Sequence, residues 1–385
     1  MRAVKVLFLV TEDWYFVSHR LPLARAARDE GIEVFVMTHL NGQKEALETE
    51  GFRIIPWKTV VPRSTNPLRE AESLWEVFRT YRQVRPDLTH HIALKPSVYG
   101  GFVALFLRSI SSVQTIAGLG YLFIDPPRKL RPVRWLLLAA LRLVLRSKRS
   151  RTIFQNADDC SFFQRAGLVR REDSRLIRGS GVNTTKLVSL PEPDGLPVVT
   201  LPSRMLWEKG VGEFVETATR LRREGVQARF VLAGRLGGCS RGSISEKQLE
   251  EWVGSGSVEW WGFVHDISNL MSKSTIICLP SYREGLPKVL IEAAACGRAI
   301  VTTNSPGCRE IVRDGENGFL VPARNAGALA EAIRLLLVDS ELRIRMAKSS
   351  REIAVREFSE GLVVRQNLDV YRELLRERWP ANGRH

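Results

Sequence analysis

Two α/β halves, each a doubly wound parallel sheet and together facing a central cleft, are what this 385-residue sequence predicts. Three observations lead there. Short apolar runs alternate with helical patterns, the rhythm of parallel strands covered by helices. The alternation comes in two sets, and between them Leu190-Pro191-Glu192-Pro193-Asp194-Gly195-Leu196-Pro197 suppresses helix and strand alike with three prolines and a glycine. The length suffices for two separate cores.

In the first set, 4–10, 33–38, 53–57, 88–94 and 112–115 read as strands, with helical patterns such as 19–29 and 68–82 between them. The run 4–10 is short and leads straight into Glu12 and Asp13, which suits a buried first strand better than a secretion signal. In the second set, 198–202, 229–233, 258–261, 275–279 and 299–302 read as strands, and 212–224, 267–272, 287–295 and 326–338 as helices. A last helical pattern, 360–378, is expected to cross back to the first half. The expected division is therefore 1–190, a linker at 191–197, 198–359, and a returning helix within 360–385.

Charge narrows the partners. Lys plus Arg number 57 against 42 Asp plus Glu, a net +15, which implies nucleic acid, anionic lipid or a phosphate-bearing substrate. Five scattered cysteines, at 160, 239, 278, 296 and 308, form neither a paired framework nor a zinc spacing and read as reduced cytosolic thiols. No stretch reaches the roughly 18 apolar residues of a spanning helix. Segment 128–151 holds nine basic residues and no acidic one around a leucine-rich run, 135–145. Such a helix suits lying in an anionic headgroup region, or else is a core helix with a solvated basic edge. No reader motif or interleaved stacking aromatics support nucleic-acid binding.

The chemistry gathers in the second half. In Ser281-Tyr282-Arg283-Glu284-Gly285-Leu286-Pro287-Lys288-Val289-Leu290-Ile291-Glu292, a strand gives way to a sharp turn and then to a helix. Glu284 falls on the turn and Glu292 on the helix. A carboxylate accepts hydrogen bonds from adjacent hydroxyls, and the backbone N–H groups at the helix start, beside Gly285, Leu286 and Pro287, would attract phosphate. Two lone glutamates are commonly solvated; their place beyond a strand's carboxyl end, where open sheets bind ligands, points to a sugar-nucleotide site. Upstream, Arg204 and Lys209, five positions apart between a strand and a helix, can bracket a diphosphate, the arginine with a planar fork and the lysine with a mobile charge.

Together with Gly179-Ser180-Gly181-Val182-Asn183, Pro306-Gly307-Cys308-Arg309-Glu310 and Asp314-Gly315-Glu316-Asn317-Gly318, these motifs make the chain resemble family-4 retaining glycosyltransferases of GT-B fold along nearly its whole length. The resemblance implies Arg204 and Lys209 on the diphosphate, Glu284 on the transferred sugar, Glu292 on the ribose diol, and the backbone of Gly262 and Phe263 beside the nucleobase. Phe16-Val17-Ser18-His19-Arg20-Leu21-Pro22, Lys95-Pro96-Ser97-Val98-Tyr99-Gly100 and Gly118-Leu119-Gly120-Tyr121 resemble the bacterial branch that extends polyprenyl-diphosphate-linked glycans. That branch implies a UDP-linked hexose or N-acetylhexosamine donor and a polyprenyl-linked glycan acceptor. It also implies a cytoplasmic protein, peripheral on the inner membrane through 128–151.

The first half departs from the family in two places. Where relatives carry a glycine pair after the first strand, Thr11-Glu12-Asp13-Trp14-Tyr15-Phe16 offers rings, Trp14 among them, that suit an acceptor or a hydrophobic lid. Where relatives carry His-x-His, His90 and His91 are adjacent, and strand alternation lets at most one face the cleft. Lys95 and His19 join them as acceptor-side candidates. No Asp-x-Asp occurs, so transfer without metal or other cofactor is expected, the acceptor hydroxyl attacking on the face the diphosphate leaves. Two rivals stay open. One is a nucleotide-sugar 2-epimerase of the same fold; the other is a silent glycan- or lipid-binding relative, for which Arg204, Lys209, Glu284 and Glu292 would be superfluous.

Overall fold

The computed structural model describes residues 3–60, 66–107, 109–118, 131–238 and 242–376. Arg128, Lys129, Cys239 and the Leu119-Gly120-Tyr121 part of one motif lie outside the described residues.

The first sheet has seven parallel strands: β1 Lys5–Glu12, β2 Glu33–His39, β3 Arg53–Pro56, β4 Leu88–Ile92, β5 Ser111–Ile116, β6 Ser150–Phe154 and β7 Ser174–Leu176, in the order β3-β2-β1-β4-β5-β6-β7. β1 is apolar at nearly every position because both its faces are covered: Val6, Phe8 and Val10 enter one core while Leu7 and Leu9 enter another. The second sheet has six parallel strands: β8 Val198–Pro202, β9 Arg229–Ala233, β10 Glu259–Gly262, β11 Ile276–Leu279, β12 Ala299–Thr303 and β13 Gly318–Val321, in the order β10-β9-β8-β11-β12-β13. The same logic runs through β11, whose Ile276 and Cys278 pack on one side and Ile277 and Leu279 on the other. Strand order reverses between β1 and β4 and again between β8 and β11, and the carboxyl ends of such pairs are where doubly wound sheets take ligands.

The chain separates into two compact units, one running up to Ser180 and resuming at Gly361, the other spanning Gly181–Glu360. The division falls ahead of the proline-rich stretch, which is held inside the second unit: Arg343 grips both carboxylate oxygens of Glu192 at 2.8 Å, and Arg298 donates to the Pro191 carbonyl at 2.9 Å. The helix Glu360–Leu375 gives Val363, Leu368, Val370, Tyr371 and Leu375 to the core of the first unit.

Several stretches differ from the sequence reading. The expected loop 11–16 is mostly a helix, Asp13–His19, whose buried Asp13 accepts from the backbone N–H of Trp14, Asn41 and Gln43 at 2.7, 2.6 and 3.1 Å. The strand expected to reach Leu94 stops at Ile92, where Ala93 turns to φ 78°; Leu94–Phe106 is a helix and carries Lys95 in its first turn. β6 went unseen because Ser150, Arg151 and Thr152 break its apolar pattern. Its Arg151, counted above with the membrane-facing cations, instead pairs with Glu373 at 2.7 Å and Asp173 at 3.1 Å.

His90 and His91 are both fully buried. His90 bonds Tyr371 Oη at 2.6 Å and Thr115 Oγ1 at 2.7 Å; His91 bonds Tyr81 Oη and Gln114 Oε1, each at 2.8 Å. With every ring nitrogen satisfied, both are core residues on opposite faces of β4, and neither of these acceptor-side candidates has a ring nitrogen open to a ligand. Burial, reinforced by the nearby Arg20 guanidinium, holds His90 well below the usual imidazole range, and burial brings His91 down to about 4. Acid therefore protonates the unfolded chain first. Stability should fall as pH drops from about 6.5 to about 4, by about 3 kcal/mol from His91 alone. Urea denaturation at stepped pH measures this slope, which His91→Gln should flatten.

Candidate functional site

The β8–β11 reversal builds the site. After β8 the chain passes Arg204, makes one tight turn at Trp207–Lys209, and reaches Gly210 at φ 72° before the helix Val211–Arg223. A Cβ on Gly210 would stand 2.2 Å from the Pro280 carbonyl oxygen, so only glycine lets this turn close on the chain leaving β11. The two loops are then tied directly. Tyr282 N–H donates to the Glu208 carbonyl at 2.9 Å, and Lys209 Nζ meets Glu284 Oε1 at 2.5 Å. Both side chains are largely enclosed, 17% and 14% exposed. From below, Gly307 at φ 79° comes so close that a Cβ would lie 2.7 Å from the carbonyl oxygens of Glu284 and Gly285, while Glu284 N–H donates to the Pro306 carbonyl at 3.2 Å. The Arg204 guanidinium is exposed and makes no ion pair among the described residues, a cation held ready at the loop's edge.

The turn continues into the helix Lys288–Ala295, with Pro287 at its N-cap, one position earlier than the sequence suggested. Leu286 points into the core, so Gly285, Leu286 and Pro287 can meet a ligand only along their backbone. Leu290, Ile291, Ala293 and Ala294 bury the helix, and Glu292 among them is largely enclosed, with Lys288 Nζ 3.5 Å away. Burial raises the Glu292 carboxyl above its ordinary range, and Lys288 opposes that rise. Lys288 escaped the sequence reading, although its four-residue spacing from Glu292 signals a pair.

Gly262 ends β10, two strands beyond β8, and Phe263 follows it. Backbone bonds stitch the three strand ends together: Ser203 N–H to Ala233 O at 3.0 Å, Met205 N–H to Arg235 O at 2.9 Å and Gly234 N–H to Gly262 O at 2.7 Å. Phe263 is half exposed, with the Arg235 guanidinium 4.0 Å over its ring and His265 against its edge. Tyr282 is a further residue the sequence did not single out. Its hydroxyl donates to Glu213 Oε1 at 2.7 Å and the Arg324 guanidinium covers its ring at 4.6 Å, while burial and Glu213 push it up to about 12. Tyr282 thus anchors the turn that presents Glu284.

In the first unit, the β1–β4 reversal is flanked by the Asp13–His19 helix and the start of Leu94–Phe106. Trp14 is exposed there, Tyr15 stacks on His19 with ring centres 4.1 Å apart, and Phe16 is core. Of the aromatic run, Trp14 is the ring most open to solvent. Lys95 pairs with Glu70 at 2.9 Å and lies 5.6 Å from the Tyr99 ring centre. Among the described residues, no three His, Cys, Asp or Glu side chains converge as metal ligands.

Gly210→Ala should strain the backbone and push against Pro280. The expected cost is about 3 kcal/mol, read from the urea midpoint.

The model of "Glycosyl transferases group 1" matches residues 183–353 and that of "Glycosyl transferase 4-like" residues 5–156. The chain is 28% identical to the N,N'-diacetylbacillosaminyl-diphospho-undecaprenol alpha-1,3-N-acetylgalactosaminyltransferase of Campylobacter jejuni, over 94% of this chain and 98% of that one. It is 30% identical to the lipopolysaccharide core biosynthesis glycosyltransferase LpsE of Rhizobium meliloti, over 48% and 52%. Among solved structures, Anabaena HepE in complex with UDP and glucose has a TM-score of 0.76 at 20% identity, covering 96% of this chain and 100% of that one. Sucrose-phosphate synthase of Thermosynechococcus elongatus has a TM-score of 0.78 at 19% identity, covering 97% and 100%.

Proposed function

Since the chain is a glycosyltransferase of GT-B fold, we propose that it is a retaining, metal-independent family-4 enzyme. It moves a hexose or N-acetylhexosamine from a nucleotide sugar, UDP-linked, to a polyprenyl-diphosphate-linked glycan in cell-surface polysaccharide synthesis. One observation carries the donor half: the loop bearing Arg204 and Lys209 is pinned against the turn bearing Glu284 at the β8–β11 reversal. The UDP held by HepE supports the choice of nucleotide, and the undecaprenol-diphosphate sugar in the name of the Campylobacter relative supports the acceptor.

In this reading Arg204 and Lys209 hold the diphosphate, whose charge grows as the glycosidic bond breaks. Backbone N–H groups at the start of Lys288–Ala295 face the same phosphates, Glu284 takes the sugar hydroxyls, and Glu292 takes the ribose diol. The backbone at Gly262 and Phe263 lies along the base. The acceptor hydroxyl attacks the anomeric carbon from the face the diphosphate vacates, and the leaving phosphate receives its proton, so configuration is kept and no carboxylate serves as base. Trp14, His19 and Lys95, around the β1–β4 reversal, are the acceptor side; His90 and His91 are not.

Arg204→Ala should lose about 3 kcal/mol of transition-state stabilisation in kcat/KM, measured with labelled nucleotide sugar and membrane lipid extract. An unchanged rate would remove Arg204 from the mechanism, and NMR of the product anomer tests retention.

The membrane partner rests on the helix Arg131–Leu145. Leu141, Val144 and Leu145 fill the core, whereas Trp135 at 76% and Leu136 at 72% exposure, with Leu143, form an outward apolar strip beside Arg142. Lys148 and Arg149 are exposed just beyond. This arrangement suits an anionic bilayer surface on the cytoplasmic side of the inner membrane. No helix among the described residues is long and apolar enough to cross a membrane. Replacing Trp135 and Leu136 by serine should weaken sedimentation with phosphatidylglycerol vesicles about tenfold; equal binding would refute the assignment.

A further inference from the structure

We propose that the Lys209–Glu284 ion pair discriminates between the nucleotide sugar and the bare nucleoside diphosphate, making the spent donor a poor ligand. The inference rests on the donor-site reading above. Without ligand, the two groups neutralise each other at 2.5 Å in a largely enclosed position. Tyr282 N–H to Glu208 O ties the two loops together, and Glu284 N–H to Pro306 O seats the turn on the chain beneath it, so the pair opens by side-chain rotation.

A nucleotide sugar satisfies both halves of the opened pair. Phosphate oxygens take the Lys209 ammonium while sugar hydroxyls donate to the Glu284 carboxylate, so neither charge is left enclosed and unmatched. A nucleoside diphosphate satisfies only one. It claims Lys209 but leaves Glu284 without a donor and beside a like-charged phosphate. Once the sugar has moved to the acceptor, Glu284 therefore competes for Lys209 against the diphosphate and favours its departure. A donor-binding carboxylate thus also limits inhibition by the product.

The test is calorimetric titration of uridine diphosphate into the full chain, with GDP, ADP, CDP and dTDP in parallel. Glu284→Gln keeps the shape and removes the charge, so it should bind the diphosphate about tenfold tighter than wild type, an unusual sign for a site-residue substitution. In a Lys209→Met background the same substitution should gain clearly less, because only the like-charge repulsion is left to remove. Should Glu284→Gln fail to melt cooperatively, Glu284→Asp draws the carboxylate back and should tighten binding about threefold. Equal or weaker binding by a folded Glu284 variant, with wild type binding the diphosphate, overturns the discriminator and leaves the donor site standing. If no nucleoside diphosphate binds wild type or any variant, the donor-site reading itself falls.

Discussion

The parallel pairing of β8 with β11 is the constraint on which the rest of the candidate site depends. These strands are neighbours in the sheet though far apart in sequence, so their outgoing loops emerge side by side. The closeness is demanding. It needs a glycine at 210 where any side chain would strike the Pro280 carbonyl, and a second glycine at 307 beneath the turn. Given those two contacts, a backbone hydrogen bond suffices to bring a lysine from one loop against a glutamate from the other. The lysine–glutamate pair at the strand ends is therefore set by strand topology.

Much of this was legible in the sequence, because the second unit obeys simple rules. Its strands are largely apolar runs, the helices Val211–Arg223 and Lys288–Ala295 open after a glycine and a proline, and Arg204, Lys209, Glu284 and Glu292 stand beyond strand ends, so their loop or helix positions could be read directly. The first unit was harder. Arg151 sits in a buried strand yet reads as surface charge, because its partners Asp173 and Glu373 come from distant stretches. His90 and His91 read as site residues for the same reason: nothing nearby in sequence announces that Tyr371 and Tyr81 will saturate them. Lys288 and Tyr282 were overlooked because their contacts are with other side chains, Glu292 for one and Glu213 and Arg324 for the other. Local pattern reveals elements and their ends, whereas long-range polar pairing does not project onto any window of the chain.

The two faces of β4 show how the first unit converts polar residues into structure. Adjacent histidines in a central strand would be costly if either were left without partners, and each is instead held neutral by a tyrosine on one nitrogen and a residue of β5 on the other. The network fixes how the covering elements sit on the sheet, which apolar contacts alone specify loosely.

Tyr371 has a consequence for how the protein is made. It arrives on Glu360–Leu375, after the whole of the second unit has been threaded, yet it completes the hydrogen bonding of His90, encoded some 280 positions earlier. During synthesis the second unit is made in full while the first still lacks one wall of its core, with a strand histidine and apolar residues such as Phe8 and Leu88 awaiting cover. The portion made first is therefore the portion finished last, an inversion of the usual order in which domains fold as they leave the ribosome.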